Sequence, residues 1–147
     1  MRTLAVDLGE RRIGVAVSDA TGTLASPHST IRRAAKGTAH LAAIAELARE
    51  LRVKRVVVGL PIGLDGRKGA AARAAEADGE VLAVQLAPDG IEVEMFDERF
   101  TTVSASRALI EAGMRGGALR QVVDRSAAAV LLQAWLDSAP RRDLGTS

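Results

Sequence analysis

Two hydrophobic rhythms alternate along the chain. Residues 2–8 open with an apolar run, Leu4-Ala5-Val6, that stops at Asp7. Gly9-Glu10-Arg11-Arg12 has the composition of a tight turn. Residues 12–19 then place Ile13, Val15 and Val17 on one face and Gly14, Ala16 and Ser18 on the other. A period of two is that of a strand, so these runs predict a hairpin whose second strand is half-buried and carries a face of small residues. Thr23 to Ile31 predicts a third strand, weakened by Pro27, which cannot donate to a ladder. The period changes over residues 37–52, where Leu41, Ile44, Leu47, Ala48 and Leu51 recur at helical spacing.

Arg55-Val56-Val57-Val58-Gly59 predicts a short buried strand, and residues 61–69, with Pro61, Gly63, Gly66 and Gly69, a loop. Residues 70–86 predict an alanine-rich helix. Residues 91–97 alternate Ile91, Val93 and Met95 against Glu92 and Glu94, a strand with one wet face, as at a sheet edge. Thr101 or Thr102 can cap a helix ending near Gly113. A link from Gly113 to Ala118 leads to a last helix over roughly 120–138. Early strands followed by alternating helices and strands give a mixed α/β layered sheet. On this reading residues 1–138 form a single domain and 139–147 a flexible tail.

Composition narrows the function classes. The 147 residues are 48% hydrophobic, enough for a sizeable core, and only 2% aromatic, so that core is aliphatic and alanine-rich. Few aromatics argue against a stacking platform for single-stranded nucleic acid. Net charge is +2, and among the 20 basic residues only Lys36, Lys54 and Lys68 are not arginine. Arginine's planar fork suits phosphate, so an Arg-rich surface is compatible with a nucleic-acid partner. The absence of cysteine removes disulfides, zinc–thiolate sites and thiol catalysis. With no long apolar run and no signal-peptide pattern, a soluble cytoplasmic protein without membrane association is expected.

Three acids stand where carboxylates are least expected. Asp7 ends an apolar strand, on the face of Ala5 and Thr3; Glu98 ends another; Asp124 opens the last helix, on the stripe of Ala127, Ala128 and Leu131. Buried unpaired carboxylates are costly and gather around cations, so three from distant segments suggest one divalent-metal site. Each also has an ordinary reading: Asp7 as a turn residue, Asp97-Glu98-Arg99 as a solvated charge cluster, Asp124 as a first-turn acid favoured by the helix dipole.

Four segments together carry a family pattern. Leu4 to Asp19, Val57-Val58-Gly59-Leu60-Pro61 with Asp65-Gly66, Asp97-Glu98-Arg99-Phe100-Thr101-Thr102, and Val123-Asp124 with Ala127-Ala128 and Leu131-Leu132-Gln133 resemble the four motifs of the YqgF/RuvX family, in order, over about residues 4–137. The resemblance implies an RNase H-like fold, a mixed central sheet flanked by helices, similar to bacterial Holliday-junction resolvases. It implies a metal-dependent nuclease acting in 5′-end maturation of pre-16S rRNA, with Asp7, Glu98 and Asp124 as catalytic metal ligands. Phe100 stands where the family usually has leucine. The link before Asp124, often basic in relatives, holds only Arg115 and Arg120.

Three carboxylates suit Mg²⁺ or Mn²⁺, hard cations with oxygen ligands. Two such ions about 3.5–4 Å apart can activate water and stabilise the leaving oxygen, with no separate base. His28 and His40 are accordingly not expected to be catalytic. Arg11 and Arg12 in the first turn, Arg67 and Lys68 on the glycine-rich loop, and Arg99 are candidate substrate-binding residues, each otherwise an ordinary surface charge. Asp97 is a reserve ligand, but adjacent strand residues face opposite ways, so only one of Asp97 and Glu98 is expected to face the site. Structured RNA or branched DNA is the expected partner, and junction cleavage would require a symmetric homodimer. The alternatives are a junction resolvase, a non-catalytic RNA- or ribosome-binding module, and an actin/Hsp70-like or sugar-kinase phosphate site; 147 residues are too few for the two lobes of the last.

Overall fold

A computed structural model describes residues 1–63, 65–101 and 127–138. The first hairpin forms as its alternation predicts: β1 (Thr3–Leu8) pairs antiparallel with β2 (Arg12–Ser18). Gly9 closes the turn by donating its N–H to the Arg12 carbonyl at 3.0 Å, and a Cβ on Gly9 would lie 2.4 Å from that oxygen. Only glycine fits there. β3 (Ala25–Arg32) adds antiparallel to β2, with a register shift between Val15 and Ala16. It is an edge strand, where Pro27 removes no needed donor.

The chain then crosses through α1 (Ala39–Glu50) to β4 (Arg55–Leu60), parallel to β1, and through α2 (Ala70–Leu86) to β5 (Glu92–Asp97), parallel to β4. Among the described residues the sheet order is β3-β2-β1-β4-β5. β5 is therefore an edge, as its alternation predicts. Residues 127–138 form α3. The helix predicted from Thr101 or Thr102 to Gly113, the following link, the first turns of the last helix with Asp124, and the tail lie outside the described residues.

Alternation sorts the strands between two faces. Leu4, Val6, Ile13, Val15, Val56 and Val58 pack with Leu41 and Ile44 of α1 and Leu82 and Leu86 of α2. Ala5, Ala16, Val57 and Phe96 pack with Ala128, Leu131, Leu132 and Trp135 of α3. This corrects two sequence expectations. β2 is not half-buried: α3 lies over its small residues, and Ala16 is fully buried. The acidic face of β5 is not wholly wet either. Glu92 is exposed, but Glu94 accepts hydrogen bonds from Trp135 Nε1 and from Arg55 Nη1, the latter at 3.2 Å.

Two details fix the helices. A Cβ on Gly79 of α2 would lie 2.6 Å from Met95 Sδ, so the missing side chain lets helix and strand close on each other. In α3, the Gln133 amide accepts from the Ala25 N–H at 3.0 Å and donates to the Thr23 carbonyl at 3.1 Å.

Candidate active site

The parallel strands β1, β4 and β5 deliver their carboxyl ends to one end of the sheet, where ligands bind in open α/β sheets. Asp7 is near the end of β1, opposite Gly14 of β2. On the other side, continuing the register of Val6 with Val58 sets Asp7 beside Gly59, itself paired with Phe96. Asp7 thus lies between two residues without side chains, on the α3 face with Ala5.

Glu98 reaches the same place from another direction. It does not end β5 but opens a 3-10 turn, Glu98–Phe100. The change of backbone direction separates it from Asp97. Glu98 lies against the bare backbone of Gly59: a Cβ there would be 2.6 Å from Glu98 Oε1 and 3.1 Å from Leu131 Cδ2. The Glu98 and Asp7 carboxyls lie close enough to interact by charge and by hydrogen bonding. Burial first, then the charge of Asp7 and that hydrogen bonding, and last Asp97, push the Glu98 carboxyl up from 4.5 to about 7. Two carboxylates in contact cannot both ionise freely, so the pair holds a proton more tightly than an isolated glutamate does.

Asp97 faces away from this pair. It accepts from the Arg99 N–H at 2.9 Å and from Arg99 Nη2 at 2.7 Å, and the Arg99 side chain holds its carboxyl below the usual range. Only Glu98 of the two neighbours joins Asp7, and the turn that begins at Glu98, rather than strand alternation, separates it from Asp97. Arg99 also lies beside the loop after β4, where a Cβ on Gly66 would be 3.6 Å from Arg99 Nη1. That loop is closed by Gly66 N–H to Gly63 carbonyl at 2.8 Å, with Gly66 at φ 83°. Arg67 is exposed with Asp65 at 3.7 Å, and Lys68 pairs with Glu76 at 3.1 Å. Arg11 and Arg12 are exposed at the first turn.

Among the described residues no group of three or more metal-ligating side chains occurs. The third expected ligand, Asp124, lies outside them. The donors that do meet fit a hard cation: two carboxyls in contact, whose mutual repulsion a cation would relieve, beside a strand glycine that leaves room. The sequence places Gly59 in a strand and in the second motif, but assigns it no part in the site. The signal was the glycine interrupting a valine run, a mark of close approach by another group. His40, not expected to be catalytic, lies in the first turn of α1. His40 is 5% exposed; its Nδ1 accepts from the Ala34 N–H at 3.3 Å, and burial, then Arg33, lower its pKa. It is a structural histidine, remote from Asp7 in role.

The chain is similar to known proteins in sequence and in fold. A protein of Nocardia farcinica named as a candidate pre-16S rRNA nuclease is 48% identical over 151 residues, covering 98% of this chain and 83% of its own length. A namesake from Myxococcus xanthus is 45% identical, covering 94% and 89%. Among solved structures, Thermus thermophilus RuvC superposes with a TM-score of 0.58 at 17% identity, covering 99% of this chain and 98% of that one. RuvC of the same organism in complex with Holliday junction substrate gives 0.58 at 15% identity, covering 96% of each. The fold is therefore the RNase H-like arrangement of RuvC. The family model described as "RuvX: Holliday junction resolvase" matches residues 1–138, and the chain belongs to that family.

Proposed function

We propose that this protein is a divalent-metal-dependent nuclease that hydrolyses phosphodiester bonds, in 5′-end maturation of pre-16S rRNA. The observation that carries the reading is the meeting of the Glu98 and Asp7 carboxyls beside the bare backbone of Gly59 at the end of the sheet. Such a pair is unfavourable without a cation and favourable with one. Asp7 and Glu98, joined by Asp124, would hold Mg²⁺ or Mn²⁺, and the bound cations would supply Lewis-acid activation of water and of the leaving oxygen.

The protein's own groups do the rest. With a cation bound, Glu98 would be held ionised, so that both carboxylates could serve as ligands. Gly59 keeps the Glu98 carboxylate against the strand end. Arg99, held by Asp97, presents its guanidinium beside the Gly63–Gly66 turn, where a phosphate can be clamped. Arg11, Arg12, Arg67 and Lys68 surround this end of the sheet as further phosphate contacts. RNA of this kind would be met in the cytoplasm, and no described helix is long and apolar enough to cross a membrane.

A second reading, cleavage of branched DNA by a homodimer, is favoured by the family description and the junction-bound RuvC relative. One assay separates the two: pre-16S RNA, single-stranded RNA and four-way DNA junctions under identical Mn²⁺ and salt, which must be matched because backbone binding depends steeply on salt. RNA processing is expected to be the faster, and Asp7→Asn to abolish metal-dependent cleavage of every substrate while leaving a folded protein. Cleavage retained by purified Asp7→Asn overturns the mechanism.

A further inference from the structure

The register of the hairpin places two arginines directly opposite one another: Arg12 on β2 pairs with Arg32 on β3. Both are exposed. Like charges facing each other across an antiparallel pair repel. Other cations of the described structure divide: Arg49, Arg55 and Lys68 are matched with Asp89, Glu92 and Glu76, while Arg2, Lys36, Arg52, Lys54 and Arg73 are exposed without an ion pair, and none of these five stands opposite a like charge in the strand register. Among the described residues Arg12 and Arg32 have no ion-pair partner, nor does Arg11 beside them.

Side-chain parity settles which way this pair faces. Ile13 and its partner Ile31 turn to the core under α1 and α2. Arg12, Gly14, Arg32 and Thr30 therefore turn to the other face, the face of Asp7. The next row inward runs Thr30–Gly14–Asp7 across three strands. Thr30 is exposed and Gly14 carries no side chain, so this row is a low floor leading outward from the acid pair. By strand spacings, the Cα atoms of Arg12 and Arg32 lie about 8 and 12 Å from that of Asp7. Those separations suit successive phosphates of one backbone strand passing over the acids.

We infer that Arg12 and Arg32, with Arg11, form a docking edge for the phosphodiester backbone of a nucleic acid, which leaves the acid site over Gly14 and Thr30 towards β3. The inference rests on the proposed nuclease reading and deepens it: it adds Arg32, which no motif marks, and gives the substrate a direction across the sheet. A bound polyanion would offset the repulsion within the charge pair.

The test is salt-dependent binding, followed by fluorescence anisotropy in EDTA, of a labelled RNA hairpin and of a DNA hairpin of the same sequence. Neutralising one phosphate contact lowers the slope of log Kd against log salt by about 0.9 on a duplex stem. Arg32→Gln is expected to lose about one unit of slope, Arg12→Gln/Arg32→Gln about two, on whichever polymer is bound. Arg32→Lys should keep the slope, and Arg73→Gln, on the exposed face of α2, should not change it. Relief of the like-charge pair should leave the melting temperature of Arg32→Gln equal or higher. An unchanged slope for Arg32→Gln in a protein that still cleaves overturns this surface and leaves the nuclease reading standing. Loss of slope in Arg32→Gln, where the wild-type protein never cleaves with Mn²⁺, supports the surface and removes the nuclease reading. A wild-type protein that binds neither hairpin overturns it outright.

Discussion

Replacing Glu98 by glutamine should make the metal-free protein more stable. The Glu98 carboxyl is pushed up from 4.5 to about 7, by burial and then by Asp7. The folded protein therefore holds this proton more tightly than the unfolded chain, and folding loses stability as pH rises from about 4.5 to about 7. Fully expressed, such a shift is worth about 3 kcal/mol above pH 7. The site is partly open to solvent, which screens the interaction and leaves about 1–2 kcal/mol. Glutamine keeps the shape and still donates an N–H to Asp7, but carries no charge. Urea unfolding in EDTA at pH 8 should give Glu98→Gln a gain of about 1–2 kcal/mol, shrinking towards nothing near pH 4.5. Millimolar Mn²⁺ should reverse the order at pH 8, because only the wild type retains both ligands. A gain of equal size at both pH values would point to packing rather than charge. No gain at pH 8 would refute the picture of a strained acid pair.

Two further perturbations probe the supports of that pair. Gly59→Ala puts a methyl 2.6 Å from Glu98 Oε1 and 3.1 Å from Leu131 Cδ2. The carboxylate can swing away more easily than α3 can move, so stability should fall by only about 1 kcal/mol, whereas metal-dependent cleavage should drop by about 100-fold; denaturant curves and single-turnover rates check both. Asp97→Ala removes the cap on the Glu98–Phe100 turn and frees Arg99, at a cost of about 1 kcal/mol at neutral pH. Because Arg99 lowers the Asp97 pKa, that contribution should be present above its ordinary value of 3.8 and fade as pH falls below it, which acid titration of the two proteins would detect.

Local patterns carried most of the fold. α2 begins and ends where its alanine-rich run predicts, and the Gly9 turn, the valine strand and the edge position of β5 follow from spacing and composition. Misreadings occurred where a remote segment decides the environment. Small residues of β2 look like a bare face until α3, more than 100 positions later in the sequence, is laid over Ala16. Glu94 looks solvated until Trp135 reaches it. At the candidate site, Asp7 was legible because a carboxylate ended an apolar strand. Glu98 was legible as an acid but not as the first residue of a new turn, and Gly59 acquires meaning only when Glu98 and Leu131 arrive from other parts of the chain.

Gln133 has a consequence beyond anchoring its helix. Its amide meets the Ala25 N–H and the Thr23 carbonyl as a peptide group of a neighbouring strand would. An open sheet margin invites lamination by foreign polypeptide and, from there, aggregation. This side chain occupies the docking positions at one end of that margin, so an intruder would first have to evict it. A single amide thereby acts as a steric bolt against self-association.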